Sequence, residues 1–114
     1  MDTITIRIEV HAAAVKAANE QFVKFGRTDM IGACGFAWVT IRPKHKGNTK
    51  LGKDERKVLS ELGFEKDWTG KTYQLWDPAH YSGQNVDIKE AGARAAAVIL
   101  RNYGFDAYSG SRLD

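Results

Sequence analysis

Cysteine is almost missing from this chain. Cys34 stands alone among 114 residues, so no disulfide can form within the chain, and a reducing compartment is the expected setting. No apolar run approaches the roughly 20 residues that cross a bilayer, so no membrane partner is expected. The opening stretch MDTITIRIEV lacks the basic-then-apolar pattern of a secretory signal, which makes the cytoplasm the expected location. His11, His45 and His80, with Cys34, show no close metal-ligand spacing, which excludes a recognisable zinc motif. There is no G-x-S-x-G, and the paired acids Asp54-Glu55 and Asp87…Glu90 are accounted for by helix starts. The chain thus carries no recognisable catalytic set, no cofactor is expected, and the expectation leans toward a binding protein rather than an enzyme.

What is present describes one globular domain, with 43% hydrophobic and 27% charged residues. The formal charge of +3 is mild, but its distribution is uneven: Arg42, Lys44, Lys46, Lys50 and Lys53 fall in one segment with no acid among them. Such a run favours an anionic partner, or is simply a solvated loop.

Taken in order, residues 3–10 alternate strictly, with Ile4, Ile6, Ile8 and Val10 on one side, and predict a half-buried strand. A helical stripe through Ile4, Ile8, Val15, Ala18, Phe22 and Phe25 makes one long helix the rival. The preferred reading is a strand, then a helix over 12–25 ended by Gly26, then a loop over 27–32. Residues 33–42 read as a central strand, apolar on both faces and covered on both sides, with Cys34 as a small buried hydrophobe and Pro43 as its stop. A helix is predicted over 54–62, a hairpin of strands 64–68 and 71–76 around Thr69-Gly70, and an irregular loop over 79–86. The last helix, opened by Asp87 and Glu90, is rich in alanine and glycine, which suggests close packing against another element or subunit. A short strand over 106–110 leads into a tail ending Ser111-Arg112-Leu113-Asp114. The fold class is therefore α/β: a small two-layer sandwich with a mixed sheet, in the order β-α-β-α-β-β-α-β.

Gly47-Asn48-Thr49-Lys50-Leu51-Gly52-Lys53-Asp54 matches the phosphate-loop spacing G-x-x-x-x-G-K, but Asp54 replaces the Ser or Thr that would hold Mg²⁺. What survives is an anion site without catalysis, built from lysines near a helix N-terminus. Trp38, Trp68, Tyr73, Trp76 and Tyr81 flank that loop, either as core or as stacking surfaces beside Arg42 and Lys44. His45 would add charge when protonated. The tail is either frayed or holds Arg112 at a pocket rim.

Read together, CGFAWV at 34–39, Pro43, Trp76, Gly83-Gln84, the alanine-rich helix, GFDAY at 104–108 and the ending SRLD form a pattern. It resembles a group of small uncharacterised proteins encoded by tailed bacteriophages and prophages. The resemblance implies a bacterial cytoplasm and an accessory, even anti-defence, role, and points to Cys34, Trp38, Gln84, Ser111, Arg112 and Asp114 as a shared site. The resulting expectation is a non-enzymatic protein binding an anionic partner, a nucleotide-like molecule or nucleic acid. Its ligand-binding residues would be Trp38, Arg42, Lys44, His45, Lys46, Lys50, Gln84, Ser111 and Arg112. The alternative is docking on a host protein, or self-assembly into a homo-oligomer through the alanine-rich helix.

Overall fold

The structure is a computed structural model and describes residues 2–28 and 32–114. Its elements run α1 (Thr3–Lys24), β1 (Gly35–Arg42), α2 (Lys50–Glu61), β2 (Glu65–Lys66), β3 (Tyr73–Trp76), α3 (Val86–Asn102) and β4 (Asp106–Leu113). The class is the two-layer α/β sandwich expected from the sequence. The sheet, however, is antiparallel at every pairing rather than mixed, with strand order β2-β3-β1-β4.

The predicted first strand is helix. Asp2 caps α1 by accepting from the Thr5 amide, while the Thr5 hydroxyl donates to the same carboxylate. The Thr5 bonds hold the Asp2 carboxyl below its ordinary pKa. From that cap a stripe at every fourth position, Ile6, Val10, Ala14 and Ala18, is buried continuously into the alanine-rich half. Only half of the alternating set goes inside: Ile4 and Ile8 are 72% and 64% exposed. Tertiary packing of one long amphipathic face overrides the β-propensity of four β-branched residues. The helix ends at Gly26, as predicted, with φ of 74°. Of the predicted loop 27–32, positions 29–31 lie outside the described residues.

α1 packs along α3, where Gly92 lets the Ala14 carbonyl and the Ala79 methyl approach the helix backbone closely. Ala93, Ala96 and Ala97 are fully buried within the chain. The small surface of α3 therefore serves contact with α1 and the sheet, and its buried alanines are not open to a second subunit. Asn85, not Asp87, caps α3, accepting from the Asp87 and Ile88 amides; Glu90 pairs with Arg94 instead.

The sheet is covered on one side only, contrary to the two-sided burial expected of β1. Gly35, Ala37, Val39 and Ile41 are buried beneath the helices, while Phe36 and Trp38 on the other face remain half-buried. β4 continues to Leu113, so the predicted tail is strand: Arg112 lies across from Phe36, and the Asp114 amide donates to the Cys34 carbonyl. Cys34 itself is exposed, not the buried hydrophobe expected, because it precedes β1 in an isolated bridge to Asn85 at the rim of the sheet. Among the described residues no helix is long and apolar enough to cross a membrane.

Candidate functional site

Strand register decides which side chains meet. Directly opposed residues share a face, and successive residues alternate. The pairings Phe36–Arg112, Trp38–Trp76, Trp38–Gly110, Thr40–Gln74, Thr40–Tyr108 and Arg42–Asp106 put one set on the open face. Aromatic rings and two arginines line β1 and its neighbours there.

At one end the Trp38 and Trp76 rings lie 4.8 Å apart, tilted by 30°, and the Phe36 ring meets Trp76 edge-on at 6.1 Å. The Arg112 guanidinium sits 5.4 Å from the Phe36 centroid and 5.8 Å from that of Trp76. Trp38 is laid flat because of Gly110: a Cβ there would come within 2.8 Å of the indole. Trp76 remains 45% exposed, with its ring N–H donating to Gln74. At the other end, Arg42 lies over the Tyr108 ring at 5.1 Å and pairs with Asp106 at 3.4 Å, in a solvent-exposed contact of small energetic weight. About 20 Å of strand separates Phe36 from Arg42.

The basic loop after β1 is arranged differently from a phosphate cradle. The Glu55 carboxylate accepts from the backbone amides of Lys44, at 2.7 Å, and His45, at 3.0 Å, and the His45 ring lies 3.4 Å from it. The loop's own acid thus occupies the place an anion would take. Lys44 donates its ammonium to the Gly104 carbonyl. α2 starts at Lys50, four residues before the predicted start, because the Thr49 hydroxyl caps it through the Gly52 amide. Gly52 is therefore inside the first helical turn, and a Cβ on it would meet the Lys46 carbonyl oxygen at 1.8 Å. The glycine spacing has a packing cause, and Lys46 and Lys50 extend into solvent.

The expected site residues consequently divide. Trp38, Arg42 and Arg112 share the open face. Lys44, His45, Lys46 and Lys50 lie in and just after the loop that follows Arg42, at the far end from Arg112. Ser111 points the other way, toward α3, where its hydroxyl donates to Glu90 at 2.7 Å. Gln84 contributes its backbone carbonyl to the Gly35 amide beside the start of β1. Phe36, Gln74, Trp76 and Tyr108 complete the face. Trp76 and Tyr108 stood in the sequence as an aromatic and part of a motif, but only the register of strands far apart in the chain unites them. Trp68, 96% exposed, stands apart at the β2–β3 turn. Among the described residues there is no cluster of histidine, cysteine or acid that would hold a metal ion.

Fold and site together define a two-layer α/β protein with a one-sided antiparallel sheet whose open face carries aromatics and arginines. In comparisons with family models, curated proteins and solved structures, nothing matched the chain.

Proposed function

We propose that the open sheet face binds single-stranded nucleic acid, with bases stacking on Trp76, Trp38 and Phe36 and phosphates drawn by Arg112 and Arg42. The observation that carries this reading is the Trp38–Trp76 ring pair on the sheet face opposite the buried one, with Trp76 45% exposed and the Arg112 guanidinium 5.8 Å from its centroid. Stacking on aromatic rings is sequence-tolerant and contributes about 1–3 kcal/mol per base. A strand is favoured over a lone nucleotide because the face is an extended platform, whereas small ligands are held in concave pockets. Lys44 and Lys46 lie beyond Arg42 and extend the positive track. Binding is stoichiometric rather than catalytic, and the phage-type setting in a bacterial cytoplasm, with an accessory or anti-defence role, belongs to the same proposal.

Fluorescence polarisation of a labelled single-stranded oligonucleotide tests it. Trp76→Ala should weaken binding by about 1–3 kcal/mol, a tenfold or larger loss. With about three phosphates neutralised, log K should fall with log salt at a slope near −2. A duplex of the same length should bind more weakly, because its bases are not free to stack. Undiminished affinity in Trp76→Ala and Arg112→Ala, or preference for duplex, would overturn the proposal.

A further inference from the structure

On the helical side of the molecule, α1 buries Ile6, Val10, Ala14 and Ala18 and turns a second apolar stripe outward. That stripe runs Ile4, Ile8, Ala12, Val15 and Val23, interrupted by the polar Asn19, at spacings of three and four that keep one side of a helix. Ile4, Ile8 and Val23 are 72%, 64% and 49% exposed. Beside Ile4 and Ile8 lies a groove of about 460 Å³ whose apolar wall is Leu62, Leu75 and Pro78, with Arg7, Glu61 and the two histidines His11 and His80 also lining it; it shares His11 and Ala12 with a shallow trough along the rest of α1. A largely apolar seam about 28 Å long is unusual to leave in water.

We infer that the occupant of this seam is the α1 helix of a second copy, packed antiparallel about a two-fold axis crossing between Ala12 and Ala13. The stripe complements itself in that register. Ile4 falls between Asn19 and Val23 of the second copy, Ile8 between its Val15 and Asn19, and the small Ala12 sits at the crossing, where helices approach most closely. A two-fold axis brings like flanks together. Glu9 and Lys16, seven residues apart on one flank and both exposed, then meet their opposites twice: Glu9 faces the second copy's Lys16, and Lys16 its Glu9. A single helix face is smaller than the roughly 800 Å² per partner of a standard interface, even with the Leu75–Pro78 wall added. The dimer is therefore a weak one that dissociates on dilution. It leaves the open sheet face of each copy free, since α1 belongs to the helical layer.

Sedimentation velocity of the full chain, from low to several hundred micromolar, reads the equilibrium directly. The wild type should pass from monomer to dimer, and Ile8→Glu should stay monomeric throughout with unchanged helical circular dichroism, because Ile8 makes little contact within its own chain. Ile4→Glu should do the same. Glu9→Lys and Lys16→Glu should each weaken the dimer, and the two together should restore it. A monomeric wild type at every concentration overturns the inference and leaves the groove to a foreign apolar helix. So does a dimer indifferent to Ile8→Glu, and failure of the double swap to restore association overturns the antiparallel register. Trp76→Ala, which touches only the sheet face, should leave sedimentation unchanged.

Discussion

Replacing Gly52 by alanine separates a structural loop from a phosphate-binding one. Alanine in a helix is ordinarily about 1 kcal/mol better than glycine, so propensity alone says that Gly52→Ala should stabilise. Geometry says otherwise. The new methyl would sit 1.8 Å from the Lys46 carbonyl oxygen, and that oxygen is backbone, so it must retreat by more than an ångström. It also accepts from the Thr49 hydroxyl at 2.6 Å and from the Thr49 amide at 3.1 Å. Two hydrogen bonds of about 1 kcal/mol each are put at risk, together with the Thr49 cap they support. The clash wins, and the expected net loss is about 2 kcal/mol, or roughly 5–10 °C in Tm for a domain of this size. Gly47 is the internal control. A Cβ there meets only the Arg56 guanidinium at 3.3 Å, which must give by a few tenths of an ångström while keeping its bonds to the His45 and Gly52 carbonyls, so Gly47→Ala should cost less than about 1 kcal/mol. Urea unfolding followed by circular dichroism measures both. If Gly52→Ala is neutral or stabilising, or if both glycines prove equally sensitive, the packing account of this motif is wrong.

Two further perturbations test the local bonding. Asn85→Ala removes the oxygen that accepts from the Asp87 and Ile88 amides at 2.8 and 3.2 Å in a buried setting, and should cost about 2 kcal/mol or more; a thermal shift near zero would refute the cap. At the β2–β3 turn the Thr72 hydroxyl, then that of Thr69, holds the Asp67 carboxyl down to about 2. Because its folded pKa is depressed, its contribution is complete above about 3.9 and is lost as pH falls toward 2. NMR shifts of Gly70 and Thr72 should titrate in that acid window and lose the titration in Asp67→Asn; an unchanged titration would refute the assignment.

How far these features could be read from residues alone follows from what each depends on. α3 and the hairpin rest on local signals, and past α3 the positive φ of Gly104 lets the Phe105 amide return to the Leu100 carbonyl. Residues 3–10 misled because isoleucine at every second position also places Ile4 and Ile8, or Ile6 and Val10, at helical spacing. The deciding evidence was the Asp2 cap and the buried partner that α3 supplies. The loop misled for a related reason: glycine and lysine at motif spacing say nothing of where the neighbouring Glu55 will turn. Arg42, Trp38 and Arg112 were legible as chemistry. Their shared face was not, since it depends on β4 pairing with β1 across most of the chain. The exposure of one sheet face follows from helices that all pack on the other, a tertiary fact with no local signature.

The sheet face can report on its own occupancy. In a Trp68→Phe background the remaining tryptophans, Trp38 and Trp76, are the stacked pair, so their fluorescence reads the proposed surface alone. Titration with a short single-stranded oligonucleotide should quench that emission in a saturable way, with the midpoint moving to higher concentration in Arg112→Ala and as salt rises. Binding detected by polarisation while the emission of Trp38 and Trp76 stays constant would place the strand elsewhere and contradict the account.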